Sequence, residues 1–308
     1  MIAARCIILR PGQPGLALNG LAVMQAKLEK WYHHLPGFRR LHAERTALRS
    51  RVATLETGGA ARRYLDLLEL CLLDLIYRDG HRGWGVEQAF DAERRHKGQD
   101  WPRVAHTMIG RERLSHLRRS VERVLDEGIP GDFIEAGVWR GGACILIRGI
   151  LAVRGVTDRI VHLADSFCGL PPPDAAGFPA DAGSIFHQYS ELAVPRAEVE
   201  EAFRRYELLD SQVRFHEGWF KDTLPGLADE RFALIRLDCD MYESTWTALS
   251  ELYPRLSPGG FAVIDDYHCF ESCKLAVDRY RAMHGIVAPI EQIDWSGVFW
   301  RKLPAPKK

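Results

Sequence analysis

The sequence predicts an α/β protein built on a doubly wound, mostly parallel seven-stranded sheet, with a helical N-terminal extension. Three observations predict it. From about residue 112 short apolar runs alternate with helical patterns, the rhythm of βαβ units. The runs are short and mostly apolar, as suits strands covered by helices on both faces. Glycines or acids follow directly after most of them, where an open parallel sheet binds its ligand.

In chain order, residues 1–63 read as a partly helical extension. Pro11-Gly12-Gln13-Pro14-Gly15 is turn-rich, and residues 27–63 hold nine Lys/Arg against three Glu. Leu41, Leu48, Val52 and Leu55 lie at helical spacing, which predicts a basic amphipathic helix. It is either an arm for an anionic partner or a solvated face. Gly58-Gly59 breaks it. Tyr64–Tyr77 follows as a helix apolar on more than one side, closing at Asp79-Gly80 and expected to bury itself against the main domain or a second subunit. Residues 64–111 read as a helical lid or oligomerisation segment, and 112–308 as the ligand-binding domain. There a helix at 112–127 closes at Gly128-Ile-Pro-Gly131. Strands are predicted at 132–135, 160–164, 213–216, 233–237 and 261–264, with helices at about 141–154, 196–208, 243–255 and 271–284. Val287–Ile293 and Ser296–Arg301 read as a terminal hairpin joined by Asp294-Trp295.

Composition narrows the function. The 308 residues are 46% hydrophobic and 27% charged, ordinary for a globular protein with a full core. Lys plus Arg equals Asp plus Glu at 41 each, against the basic excess usual for nucleic-acid binding. No apolar run approaches the ~18 residues of a membrane span. The apolar stretch of residues 1–10 is short for a secretory leader. None of the seven cysteines forms a CxxC pair, and no Cys/His spacing resembles a zinc site. They read as reduced thiols of a cytoplasmic protein.

The strand ends carry the chemistry. After the first strand stands Glu135-Ala-Gly137-Val-Trp-Arg-Gly141-Gly142. Its glycines let a ligand approach the backbone, but the spacing is not the G-x-G-x-x-G of dinucleotide folds. An acid at this place suits an ammonium or hydroxyl groups better than a pyrophosphate. After the second strand, Asp165-Ser166 is placed to take ribose hydroxyls. The Pro171-Pro-Pro-Asp174 loop, running to about Pro195, has the length of a substrate lid. Asp238-Cys-Asp240 and Asp265-Asp266 end the fourth and fifth strands, which should be neighbours. Carboxylates so gathered repel unless a cation or protons compensate, and an all-oxygen set suits Mg2+. The alternative is that some of these acids cap helices. A glycosidase-like acid/base pair is a weaker reading.

From Trp101 onward the chain resembles the macrocin O-methyltransferase (TylF-type) family of S-adenosylmethionine-dependent class I enzymes, which methylate sugar hydroxyls. The resemblance rests on Asp100-Trp-Pro-Arg-Val-Ala-His-Thr107-Met-Ile-Gly110, Gly131-Asp-Phe-Ile-Glu-Ala-Gly-Val-Trp139-Arg140-Gly-Gly-Ala143 and Ala164-Asp-Ser-Phe-Cys-Gly-Leu-Pro-Pro-Pro-Asp174. It continues through Gly218-Trp-Phe-Lys-Asp-Thr-Leu-Pro225, Leu237-Asp-Cys-Asp-Met-Tyr-Glu-Ser-Thr245, Ser257-Pro-Gly-Gly-Phe-Ala-Val-Ile-Asp-Asp-Tyr267 and Asp294-Trp-Ser-Gly-Val-Phe-Trp300. It implies that Thr107, Glu135, Gly137, Trp139, Arg140, Asp165, Ser166, Gly218, Trp219 and Phe220 hold S-adenosylmethionine. It implies that Asp238, Asp265 and Asp266 ligate Mg2+. The chain departs from the family in having Cys239 where glycine is usual, which leaves the role of Asp240 open. The implied mechanism is deprotonation of an acceptor hydroxyl followed by in-line attack on the methyl group. Asp238 is the first candidate base and His187 of the lid loop the second. A glycosylated natural product is the implied acceptor, and a homo-oligomer the implied assembly. The competing readings are a nucleotide-dependent oxidoreductase and a catalytically silent ligand-binding homologue.

Overall fold

The computed structural model describes residues 58–83 and 86–304, together with Glu44. The basic helix expected at 41–55 otherwise lies outside the described residues. Residues 61–308 form one compact unit, separate from residues 1–60.

The unit is a seven-stranded sheet with helices on both faces. The first helix, α1, covers 58–72 of the described residues, so Gly58 and Gly59, expected to break a helix, are themselves helical. A hairpin follows, β1 (His81–Gly83) and β2 (Val86–Gln88), and then α2 (Ala92–Lys97). The alternating region runs α3 (Gly110–Asp126), β3 (Asp132–Ala136), α4 (Gly142–Val153), β4 (Val161–Asp165), α5 (Arg196–Arg205), β5 (Val213–Glu217) and the short α6 (Phe220–Thr223). It continues with β6 (Phe232–Leu237), α7 (Tyr242–Leu252), β7 (Leu256–Ile264), α8 (Glu271–Met283), β8 (Glu291–Gln292) and β9 (Val298–Arg301). The sheet order is β5-β4-β3-β6-β7-β9-β8. β3 to β7 are parallel to one another, and β9 is antiparallel to both its neighbours. The predicted terminal hairpin forms, with β8 shortened to two residues. The sheet reverses winding at β3, so a crevice opens beyond the carboxyl ends of β3 and its neighbours.

The two faces bury separate apolar clusters. One takes Leu114, Leu117 and Val121 of α3, Ile145 and Ile150 of α4, and Val199 and Phe203 of α5. The other takes Leu249 and Leu252 of α7 and Val277 and Tyr280 of α8. Each such side chain, fully removed from water, contributes about 1.5–3 kcal/mol to folding.

One helix is shorter than expected. Tyr64–Tyr77 was predicted as one element, but α1 stops at residue 72 and 73–77 form turns. Asp74, in the left-handed region at φ 50°, turns the chain, accepting from the Asp79 N–H at 2.8 Å and pairing with buried Arg95 at 3.6 Å. Leu65, Leu68 and Leu72 are buried on α1, while Leu67 stays exposed.

Candidate active site

A cavity of about 560 Å3 occupies the crevice, walled by the ends of β3, β4, β6 and β7, by the 98–109 segment and by the loop after β4. Gly137 shows why its floor is so tightly built. At φ 85°, a Cβ there would strike the carbonyl oxygen of Asp238, just past β6. Gly142, whose N–H donates to the His106 carbonyl at 2.9 Å, brings α4 equally close to the 106–107 segment.

At the β3–β4 end, Asp165 holds the loop above it: Oδ2 accepts from the Val138 N–H and Oδ1 from the Phe167 N–H, each at 2.7 Å. Burial raises its pKa against those bonds. Glu135 lines the cavity too, but its Oε1 faces Arg236 and its Oε2 accepts from the Cys144 thiol at 3.0 Å. Burial pushes its carboxyl up to about 7 despite Arg236. Thr107, Gly137, Trp139, Ser166, Trp219 and Phe220 also line the cavity.

Three residues expected at the site do not reach the cavity wall. Gly218 stands behind it, its N–H donating to the Asp165 carbonyl at 2.9 Å and so aiming Trp219 inward. Arg140 lies outside, bracing the Pro102 and Ala105 carbonyls at 3.1 and 3.0 Å. His187 is exposed on a single turn of the lid, on which its neighbour Phe186 is the residue that faces the cavity.

The β6–β7 end gathers the acids. Leu237 and Ile264 are register partners, so Asp238 and Asp265 leave adjacent strands side by side. Carboxylate oxygens of Asp238, Asp240 and Asp266 lie within 4.8 Å of one another. The expected set had Asp265 in place of Asp240. Asp265 differs because both its oxygens are taken, Oδ1 by Arg236 and Oδ2 by Arg113. Asp240 enters because it, and not Cys239, adopts the left-handed conformation, at φ 57°. Asp tolerates that region far better than most residues. Cys239 is buried, its thiol 3.5 Å from the Ala136 carbonyl. Burial raises the pKa of Asp238, Asp240 and Asp266; the charge of Asp265 adds to the rise in all three, and that of Asp238 adds to it in Asp240 and Asp266.

Two arginines here were not singled out from the sequence. Arg236, on the β6 strand whose residues are all buried, bonds Glu135, Asp265 and Asp238, the last at 3.0 Å. Arg113 of α3 joins Asp265 to Asp294, at 2.9 Å, in the turn between β8 and β9. The signal for Arg236 was present: a lone arginine inside an apolar strand needs buried counter-charges. The lid is anchored by Asp181, whose carboxylate caps α7 by accepting from the Tyr242 and Glu243 N–H groups at 2.6 and 2.9 Å. Trp139 ties down its other half by donating to the Glu191 carbonyl at 2.9 Å.

An all-oxygen acid cluster and a glycine-floored, acid-edged pocket stand at the switch point of this sheet, and the fold is that of a class I O-methyltransferase. Residues 61–302 match the family described as Macrocin-O-methyltransferase (TylF). The chain belongs to that family, and it is an S-adenosylmethionine-dependent O-methyltransferase. It is similar to Mycinamicin III 3''-O-methyltransferase of Micromonospora griseorubida, with 51% identity over 244 residues, 78% of this chain and 96% of that protein. It is 46% identical to Demethyldecarbamoylnovobiocin O-methyltransferase of Streptomyces niveus over 255 residues, 80% of this chain and 96% of that one. Among solved structures, the O-methyltransferase NovP superposes with a TM-score of 0.75 at 46% identity, covering 79% of this chain and all of that one. Among the described residues no helix is long and apolar enough to cross a membrane.

Proposed function

We propose that the protein methylates a sugar hydroxyl of a glycosylated natural product, with a divalent ion such as Mg2+ at the acid cluster. The observation that carries this reading is the meeting of Asp238, Asp240 and Asp266 in the same cavity as Gly137 and Asp165. The relatives' names point the same way, since one is a rhamnosyl-tetracenomycin 4'-O-methyltransferase, 50% identical over 251 residues.

The donor set fits a hard cation: three carboxylates, no nitrogen or sulfur. Asp238 and Asp266 would hold the ion, and the free oxygens of Asp240 support it as the third ligand. Bound there, the ion would lower the pKa of an acceptor hydroxyl. Arg236 fixes Oδ2 of Asp238, so Oδ1 is the edge that receives the hydroxyl proton. The raised pKa of Asp238 matches that work better than an ordinary carboxylate would. Asp165 orients ribose hydroxyls with the lone pairs its two backbone bonds leave over. The Gly137–Trp139 loop, with Thr107 and Glu135, takes the amino-acid end of S-adenosylmethionine, and Trp219 and Phe220 cover its base. Positioning the methyl and the hydroxyl supplies most of the acceleration.

The same reading takes residues 1–63 as an extension and 64–111 as the segment that closes the site and joins subunits. Exposed Leu67 and Tyr77 support a homo-oligomer. The described cysteines are all free thiols, which supports a cytoplasmic protein. Mn2+ binding followed by electron paramagnetic resonance tests the metal assignment. Asp238→Asn and Asp240→Asn should each weaken it at least tenfold. Loss in Asp265→Asn, with Asp240→Asn unchanged, would hand the third place to Asp265. Unaltered binding in all of them would remove the ion from this cluster.

A further inference from the structure

At the opposite, amino-terminal edge of the sheet a second group of ligating atoms converges. Asp132 opens β3, His162 lies near the start of β4, and Glu230 stands just before β6. One ligand atom from each lies within 4.8 Å of the others. We propose that Asp132, His162 and Glu230 form a second divalent-cation site, of the zinc type, remote from the methyl-transfer cavity.

The pieces are already set for coordination. Asp132 Oδ1 accepts from the Ile160 N–H at 2.9 Å, which aims Oδ2 at His162 Nε2, 3.3 Å away. Ligand atoms about 2.0–2.1 Å from a tetrahedral zinc ion stand roughly 3.3 Å apart, so this edge of the polyhedron exists without movement. His162 is fully buried, and its ring meets Phe232 edge-on at 5.4 Å, which fixes its plane. Its other nitrogen, Nδ1, is 2.9 Å from Nε2 of His216 on β5. A metal-bound imidazole needs such a partner for its remaining N–H, since that bond sets the tautomer and strengthens the donor. Glu230 is the movable arm. Its Oε1 is 3.2 Å from Arg214, and both side chains are partly exposed, so water can take over the arginine when the carboxylate turns to an ion. One nitrogen and two carboxylates favour zinc or cobalt over magnesium. Water completes the shell, because Asp132 and Glu230 are only partly buried. The ion would clip β3 and β4 to the segment that leads into β6.

The test uses the full chain carrying Asp238→Asn and Asp266→Asn, so that the cavity acids do not compete. Titration with Co2+, followed by its visible absorption, and with Zn2+ by calorimetry should show one bound equivalent and a raised Tm. Adding Glu230→Gln, a partly exposed position that leaves the core intact, should weaken binding at least tenfold. Adding His162→Gln should abolish it and remove the ligand-field bands. The 15N signal of His162 Nε2 should shift on Zn2+ addition in the parent chain, a readout that does not depend on whether the His162 variant folds. Absence of a bound equivalent, or binding indifferent to Glu230→Gln, overturns the proposal. Asp132, His162 and His216 would then be a hydrogen-bonded chain tying β3, β4 and β5 together.

Discussion

Arg236→Met asks what keeps the acid cluster folded. Its guanidinium is 2% exposed and touches Glu135, Asp238 and Asp265. Five carboxylates (Glu135, Asp238, Asp240, Asp265 and Asp266) share the region with Arg236 and Arg113, and Arg113 also serves Asp294. Removing one partner of a buried ion pair costs about 3–5 kcal/mol, because the other charges stay buried and uncompensated. For a unit of this size each kcal/mol moves Tm by roughly 2–4 °C, so Tm should fall by about 6–20 °C. The loss should depend on pH. Without Arg236 the folded acids bind protons more tightly than the unfolded ones, so stability declines as pH rises. The variant should therefore be weaker at pH 8 than at pH 6, and excess Mg2+ should recover part of the difference. Differential scanning calorimetry at both pH values measures this. A Tm within about 2 °C of wild type, with no pH dependence, would refute Arg236 as the counter-charge.

Three further outcomes follow from the same geometry. His187→Ala should keep turnover within about threefold of wild type, because the imidazole is outside the cavity; a drop below about a hundredth would make His187 the base after all. Gly137→Ala should weaken S-adenosylhomocysteine binding at least tenfold, about 1.4 kcal/mol, since its Cβ meets the Asp238 carbonyl; wild-type affinity would mean that β3 and β6 can part. Burial, ahead of Arg119, holds His116 down at about 4 against an ordinary 6.5. The unfolded chain then binds more protons below pH 6.5, so stability falls as pH drops toward 4, and His116 accounts for about 2 kcal/mol of that at pH 5. Urea midpoints at pH 7 and pH 5, for wild type and His116→Phe, should show a shallower acid loss in the variant, and identical slopes would contradict the assignment.

The parts of this protein that were legible are those encoded locally. Apolar runs marked β3 to β7, and the acids after them marked the crevice, because a parallel sheet places its ligand at one edge by topology alone. What was not legible depends on partners far apart in the chain. Arg113 meets Asp265 across 152 positions, and Asp181 caps α7 from 61 positions away. Neither leaves a periodic trace. The same is true of Asp132, His162 and Glu230, whose spacing matches no metal motif because three strand ends assemble them. Phe186 and His187 show the limit at finer grain. Both belong to the lid loop, yet which side chain of a loop turns inward is decided by packing, and the lid turns Phe186 in and His187 out.

The central claim is that the β3–β4 end of the cavity holds S-adenosylmethionine. Calorimetric titration with S-adenosylhomocysteine, on wild type and on Asp165→Ala, tests it most directly. The account predicts micromolar binding to wild type, at least tenfold weaker binding to the variant, and no comparable binding of NADH. Wild type that ignores S-adenosylhomocysteine, or an Asp165→Ala protein that binds it unchanged, would contradict it.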